Sequence, residues 1–238
     1  MTVTYLTLNP NVGSISDIAF PTDLPDPKSK LRFKWNLWVQ MDSDIKQQEL
    51  VDYKASTKTI ACFDSIVSFW EVFDAVPQPS VFLQGTNVTL QDCDQAVNSL
   101  MIFRDGVSPE WEDPVNAEGG HLQFHWRPNS VTPGQLDEYW NNVVLGIIGN
   151  NIEAEGEFSS NPIIQGIRFV NKMSSTGKQA GVRVEVWYSR PSDARHLQKV
   201  KTKLEKYMAV HLDGSLGTVP RCDIKHHSPQ HQAASRAQ

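Results

Sequence analysis

The side chains best suited to binding chemistry lie in one turn-rich loop. Trp111 lies in residues 105–114, which read DGVSPEWEDP, with Glu110 and Glu112 on either side. A tryptophan ring stacks on planar or cationic ligands, and an ionised carboxylate accepts hydrogen bonds from adjacent N–H donors. Core packing is the ordinary role of a tryptophan, but a loop position between two acids favours a binding role for Trp111.

A second candidate set lies on a predicted strand. In residues 182–187, three valines alternate with Arg183, Glu185 and Trp187. Because successive side chains of a strand point to opposite faces, the valines take one face and the other three residues take the other. A large aromatic ring therefore shares the less apolar face with an arginine four residues away.

Patterns typical of enzymes are absent from the sequence. It contains no GxSxG, HExxH or GxGxxG motif and no HxE with paired cysteines. The segment Thr176-Gly177-Lys178 is not a P-loop, because Lys172 stands where the first glycine is required. The acidic pair Glu112-Asp113 has no partner motif for acid–base work. We therefore expect no enzymatic activity and no cofactor.

The cysteines and C-terminal histidines predict no metal centre. The three cysteines are few and widely spaced, which suggests neither a disulfide framework nor a metal knuckle: Cys62, Cys93 and Cys222. Four potential zinc ligands lie near the C-terminus, with a spacing that matches no usual zinc finger: Cys222, His226, His227 and His231. We expect them to belong to a solvated tail.

Composition and charge limit the classes of protein that remain. The chain has 238 residues, 39% of them hydrophobic, and a net charge of -5. No apolar run approaches the roughly 20 residues of a membrane helix, and residues 1–11 do not resemble a signal peptide, so we expect a cytosolic protein. Residues 1–171 carry a net -12 and residues 172–210 a net +6. This division argues against coating long nucleic acid but permits a local anion site.

Hydrophobic periodicity predicts one α+β domain between two tails. We predict a flexible arm over 1–30, a domain over 31–208 and a mostly flexible tail over 209–238. The period-2 segments predict strands at 34–40, 58–62, 100–104, 121–126, 163–170 and 182–189. Helical spacing predicts helices at 64–75, 132–149 and 191–208. Helices stacked on one side of a mostly antiparallel sheet would leave the other side for a ligand.

Several motifs in this order resemble a known family. They are Trp35-x-x-Trp38, the FDSIVSFW of 63–70, the FRDGVSPEWED of 103–113, Gly119-Gly120, the LDEYW of 136–140 and Ile147-Ile148-Gly149. Together they are similar to the messenger-RNA cap-binding translation initiation factor 4E family, over about residues 31–208. The resemblance implies a curved, mostly antiparallel sheet with three helices on its convex face and a pocket for the 7-methylguanosine cap on its concave face.

The resemblance also assigns the base-binding residues. The methylated guanine of the cap is sandwiched between two aromatic rings, which correspond to Trp111 and to Tyr53, where the family usually has tryptophan. Methylation at N7 makes the base cationic, so each stacked ring adds about 1–3 kcal/mol. Glu112 corresponds to the carboxylate that accepts from the guanine edge, and Trp187 to the residue that contacts the N7-methyl group.

Basic residues of the family bind the cap triphosphate. Lys172 and Arg183 correspond to two of them, and Asn171 is expected to assist. His121 replaces a further basic position, which would weaken binding unless another group compensates.

The convex surface of the family binds an amphipathic helix of the scaffold factor 4G or of a 4E-binding repressor. Ile66, Trp70, Leu145 and Gly149 correspond to that surface, and Asn141 stands where an apolar residue is usual. The resemblance therefore implies a partner surface that is present but altered.

Two functions follow from this resemblance. The first is a non-enzymatic cap-binding protein that recruits a 4G-type scaffold for translation initiation. The alternative is a translational repressor or adaptor with a weakened cap pocket, which mainly holds a partner helix. A cap hydrolase is disfavoured because no metal-binding carboxylate cluster is evident. We expect a monomer that binds no membrane and acts in the cytoplasm, and also in the nucleus.

Overall fold

The computed structural model describes most of residues 26–227. The described residues are 26, 29–41, 56–84, 88–90, 95–153, 159–211 and 213–227. Tyr53, Cys93 and His231 lie outside these ranges, so the predictions made for them are not addressed by the structure.

The described residues form a seven-stranded antiparallel sheet with the order β2-β1-β3-β5-β6-β4-β7. The strands are β1 (Lys30–Met41), β2 (Thr57–Ser65), β3 (Val97–Arg104), β4 (Gly120–Trp126), β5 (Ile164–Lys172), β6 (Gly181–Tyr188) and β7 (Cys222–His226). The sheet is curved and open, with β2 and β7 at its edges.

Within the described residues, four α-helices accompany the sheet. They are α1 (Ile66–Phe73), α2 (Ser80–Leu83), α3 (Pro133–Ile148) and α4 (Ala194–Ala209). A side chain caps the N-terminus of each of the three longer helices, because Ser65, Thr132 and Asp193 accept hydrogen bonds from backbone N–H groups of the first turn. None of the described helices combines the length and apolarity that a membrane crossing requires.

The main core lies between the helices and one face of the sheet. Leu37 and Val39 of β1 and the three valines of β6 pack there with residues from the helices, such as Leu136 and Val143 of α3 and Leu204 of α4. Burying one such side chain stabilises the fold by about 1.5–3 kcal/mol. The opposite, concave face carries a separate small cluster of Met101, Phe103, Val107 and Trp187.

The predicted α+β class, with helices on one face of a curved antiparallel sheet, is confirmed. The six predicted strands and three predicted helices are all present, with shifted ends. The structure adds α2 and β7. β7 lies within the segment predicted as a tail and pairs with β4, so the sheet continues beyond residue 208.

Candidate functional site

The candidate site is built on the concave face, from strand residues that lie opposite one another. His121, Trp187 and Gly166 occupy matching positions on β4, β6 and β5, and Phe103 of β3 pairs with Gly166. The ring of Phe103 lies over Gly166, since a Cβ there would be 2.5 Å from the ring. A glycine at this position therefore lets the aromatic side chains approach the sheet closely.

Trp187 forms the floor of this cluster. Its ring is only 4% exposed and meets Phe103 edge-on, with 5.4 Å between the ring centroids. The indole N–H donates to Oε2 of Glu185 at 3.2 Å. Packing and this hydrogen bond hold the ring in a fixed orientation and leave little of it exposed.

Trp111 packs against the same cluster from the loop between β3 and β4. Two buried or half-buried side chains brace this loop from within. Asp113 accepts from the backbone N–H groups of Ser108 at 2.8 Å and Val115 at 2.9 Å. Asn116, which is fully buried, donates through Nδ2 to the carbonyls of Ser108 and Glu110, each at 2.9 Å. The loop is thus a rigid support for Trp111.

Glu112 follows Trp111 and is exposed. Within the part of the chain that the structure describes, it makes no hydrogen bond or ion pair, so its carboxylate can accept hydrogen bonds from a ligand. This is the property that the sequence-based assignment requires of it.

A charged pair lies beside Trp187. Nη1 of Arg168 is 3.9 Å from Oε2 of Glu185, and Nη2 of Arg168 donates to Oε1 of Gln40 at 2.5 Å. Burial raises the pKa of Glu185, but His121, Arg168 and the indole N–H of Trp187 outweigh this effect and hold the pKa below its usual value. Glu185 is therefore an anion at neutral pH.

The two predicted phosphate ligands share the concave face near one end of the sheet. Lys172 pairs with Gly181, and Arg183 pairs with Val170 and His125. The guanidinium of Arg183 donates to Oε1 of Gln179 at 2.5 Å. Both side chains are partly exposed, which leaves two cations at the rim of the site.

The structure does not bring Asn171 to this face. Asn171 alternates with Lys172 on β5 and pairs with Val182, whose side chain is in the main core. Its Oδ1 accepts from the backbone N–H of Met173 at 3.0 Å. Strand alternation therefore places Asn171 on the helix-covered side, where it supports a turn.

His121 and the C-terminal residues also differ from expectation. The ring of His121 is stacked on Trp187, with 5.8 Å between centroids and 20° between planes. Burial is the main cause that lowers its pKa, so the ring is neutral at pH 7.

Cys222 and His227 are buried rather than solvated, whereas His226 is exposed. Among the described residues, no group of three or more His, Cys, Asp or Glu side chains is arranged to hold a metal.

Sequence reasoning missed four residues of this site. Strand alternation could have found Arg168 and Phe103, because they lie opposite Glu185 and Gly166 in neighbouring strands. No comparable signal marks Asn116 or His227, since both act through buried contacts made by residues outside the regular strands and helices.

The predicted partner surface lies on the helix side. Trp70 of α1 is 42% exposed and Leu145 of α3 is 37% exposed. Ile66 is half-buried and Gly149 is exposed. Asn141 is only 8% exposed, and its Oδ1 has no hydrogen-bond partner among the described residues. It therefore contributes little area to this surface.

Comparison with known proteins gives the family. The family model described as "Eukaryotic initiation factor 4E" matches residues 30–236. The chain belongs to this family. The match includes β7 and therefore extends past the boundary predicted at residue 208.

Relatives in this initiation factor 4E family have low sequence identity to the chain, but they align over most of its length. The eukaryotic translation initiation factor 4E of Saccharomyces cerevisiae is 25% identical over 86% of this chain and 82% of the relative. That of Candida albicans is 28% identical over 76% of this chain and 74% of the relative.

Solved structures of this family share the fold. The complex of C. elegans eIF4E-3 with the 4E-binding protein Mextli and cap analog has a TM-score of 0.59 at 18% identity. It covers 88% of this chain and 96% of that chain. The complex of Ascaris suum eIF4E-3 with m2,2,7G cap has a TM-score of 0.58 at 22% identity, over 83% and 98% of the two chains.

Proposed function

We propose that this protein binds the 7-methylguanosine cap at the 5′ end of messenger RNA on its concave face. The observation that carries the proposal is that Trp111 and Trp187 pack against one small cluster, on the sheet face that also carries Lys172 and Arg183. Aromatic rings beside two cations match a ligand that joins a cationic base to a phosphate chain.

Each residue then has a distinct role. Trp111 and Tyr53 stack on the two faces of the base, and the edge of Trp187 contacts the N7-methyl group. Glu112 accepts from the two adjacent N–H donors of the guanine edge. Lys172 and Arg183 contact the phosphates. Asn171 lies on the other side of the sheet and supports the turn after Lys172.

The relatives support this proposal. They are named translation initiation factors, and two solved neighbours are complexes with a cap analog and with m2,2,7G cap. Members of the family are cap-binding factors and not enzymes, which agrees with the absence of catalytic motifs in the sequence. We place the protein in the cytoplasm, where translation occurs, and infer an additional nuclear pool.

Fluorescence titration with 7-methyl-GTP and GTP tests cap binding. We expect a clear preference for 7-methyl-GTP, because only the methylated base is cationic, and quenching of tryptophan emission as the rings stack. Trp111→Ala should lower affinity for 7-methyl-GTP by about 1–3 kcal/mol. Equal affinity for the two nucleotides, or unchanged binding by the variant, would refute the proposal.

We further infer that the convex surface binds an amphipathic helix of a 4G-type scaffold or of a 4E-binding repressor. Trp70 of α1 and Leu145 of α3 are exposed apolar side chains, of the kind that a helix-binding surface requires. Complexes with the 4E-binding protein Mextli and with 4E-BP among the structural neighbours agree with this inference.

One observation favours a repressor or adaptor as a second candidate. His121 stands at a basic position of the family, yet its neutral ring is stacked on Trp187 and adds no charge near the phosphates. A weaker hold on the cap suits a protein that mainly captures a partner. Tethering the protein to a reporter messenger RNA distinguishes the two, since an initiation factor increases reporter translation and a repressor silences it.

A further inference from the structure

We propose that His227 is a positioning residue of the cap pocket, which joins the loop that carries Trp111 to the ring of Trp187. This inference rests on the proposed function, because the two tryptophans are the ones that contact the methylated base. It assigns a role in ligand binding to the C-terminal strand, which supplies no ligand-contacting residue itself.

The C-terminal strand delivers His227 to the back of the pocket. β7 is an edge strand and pairs with β4, from Cys222 opposite Phe124 to His226 opposite Gly120. The next residue, His227, donates its backbone N–H to the carbonyl of Gly119 at 3.0 Å. Its side chain is 3% exposed. The strand thus ends by inserting an imidazole ring beneath the Trp111 loop.

Hydrogen bonds define the protonation of this ring. Nδ1 of His227 lies 3.1 Å from the carbonyl oxygen of Asn116, and Nε2 lies 3.0 Å from Nδ1 of His121. A carbonyl can only accept, so Nδ1 of His227 carries the hydrogen. Nε2 of the neutral ring then accepts from the Nδ1–H of His121. The bond accepted at Nε2 requires His227 to be neutral, whereas the bond donated by Nδ1–H does not.

The same ring contacts Trp187 directly. The ring centroids of His227 and Trp187 are 4.4 Å apart, and His121 also stacks on Trp187. On the loop side, Asn116 donates to the carbonyl of Glu110, the residue before Trp111. A continuous path of contacts therefore runs from the backbone next to Trp111, through Asn116 and His227, to Trp187.

Burial of the two histidines favours the neutral state that the path needs. Burial is the main cause that lowers the pKa of both rings, to about 4 for His227. The charged and titratable groups that face them are Arg168 on β5, Glu185 and Arg183 on β6, and His226 on β7. Glu185 favours protonation, whereas the other three oppose it.

Loss of His227 would act on both tryptophans. His227→Ala removes the acceptor for the Nδ1–H of His121 and the ring beside Trp187. It also removes one of two donors to the carbonyl of Asn116, which still accepts from the backbone N–H of Gly119. Leaving a buried polar group without a hydrogen-bond partner is unfavourable enough to change ligand affinity by about tenfold. We therefore expect His227→Ala to lower 7-methyl-GTP affinity about tenfold and GTP affinity less, so that the preference for the methylated base shrinks.

Two further variants sharpen the test. His226→Ala is the matched control, because His226 is an exposed histidine on the same strand, and it should bind within about twofold of wild type. His227→Gln keeps a donor and an acceptor but lacks the ring, so it should lose less than His227→Ala. If the alanine variant does not fold, the glutamine variant alone carries the comparison.

A second readout needs no ligand. In NMR spectra of 15N-labelled protein, His227→Ala or His227→Gln should shift the indole N–H signals of both Trp111 and Trp187, and His226→Ala should shift neither. A general structural role would lower thermal stability but leave the preference for 7-methyl-GTP unchanged. A folded His227 variant with wild-type preference and unmoved indole signals would overturn the inference. Wild-type protein that fails to prefer 7-methyl-GTP would instead refute the proposed function.

Discussion

Glu112 and Arg183 are both charged residues of the proposed pocket, but their surroundings differ. Glu112 is exposed on a braced loop and makes no hydrogen bond or ion pair within the described part of the chain. Arg183 is partly buried, donates to Gln179 and has Lys172 as a second cation nearby on the same face. The carboxylate therefore has no substitute for its role, whereas the arginine shares its role.

Replacing each residue with alanine should reveal this difference. We expect Glu112→Ala to lower 7-methyl-GTP affinity by about 2–3 kcal/mol, because two charge-assisted hydrogen bonds are lost. Arg183→Ala should cost only about 1 kcal/mol, because solvent screens a charge at the rim. Isothermal titration calorimetry measures both. Glu118→Ala, at the far end of the same loop, is a control that should bind like wild type, and equal losses for the two test variants would contradict the ranking.

At the scale of elements, α1 and α3 place apolar side chains in solvent, although Phe69 of α1 and most apolar residues of α3 are buried. Trp70 contacts Phe69 and Phe73 within α1, with ring centroids 5.0 and 6.0 Å away, so its ring is oriented while remaining exposed. An oriented, exposed aromatic side chain is typical of an anchor for a partner protein.

Trp70→Ala should separate partner binding from stability. We expect affinity for an amphipathic 4G-type peptide to fall by at least about 2 kcal/mol, as for a central interface residue. The free energy of unfolding should change by less than about 1 kcal/mol, because the ring is partly exposed. Fluorescence anisotropy and urea denaturation measure the two quantities. Leu216→Ala, also at an exposed apolar side chain, should change neither, and unaltered peptide affinity of the Trp70 variant would argue against this surface.

The elements that periodicity predicted are those whose burial follows a regular pattern. Alternation over 182–187 correctly separated the valines in the main core from Trp187 on the concave face. β7 was missed because its five residues include polar ones on both faces and follow a segment rich in glycine and proline. α2 was missed because it is a single turn after Pro77 and Pro79.

The candidate site was predictable to the extent that it follows from strand alternation and motif resemblance. Both identified Arg183 and Trp187, and the resemblance added Trp111 and Glu112. Assigning Asn171 beside Lys172 ignored the same alternation, which puts neighbouring residues on opposite faces. The position of His227 could not be predicted, because it depends on how a polar segment pairs with a strand about a hundred residues earlier.

At the scale of the whole molecule, the histidine pair links stability to pH. The pKa of His227 in the folded state is about 4, below its ordinary value of 6.5. Between these two pH values the unfolded chain binds more protons than the folded chain. The contribution of neutral His227 to the free energy of unfolding is therefore complete above about pH 6.5 and is lost as the pH falls towards 4. In His227→Gln, the loss of unfolding free energy between pH 7.5 and pH 4 should be smaller than in wild type by roughly 1–3 kcal/mol. Urea denaturation from pH 4 to 7.5 measures the difference from wild type, and parallel curves would contradict it.

The charge distribution predicts a second property of the whole protein. The basic segment 172–210 lies in a chain of net charge -5, so ligand attraction depends on a few cations rather than on the overall charge. Affinity for a capped oligonucleotide should fall as salt rises, with a log–log slope between about -1 and -2 for two or three phosphate contacts. Arg183→Ala should reduce the slope by about 0.7. A salt-independent affinity would exclude phosphate contacts by Lys172 and Arg183.

The position of β7 in the chain has a consequence for synthesis of the protein. β4 and β7 are neighbours in the sheet, but 106 residues separate His121 from His227. During translation, the other strands and the helices of the described residues leave the ribosome before β7 does. A nascent chain can therefore bury most of its core while the wall of the pocket behind Trp187 is still missing, and it becomes able to hold a cap only after β7 has been synthesised.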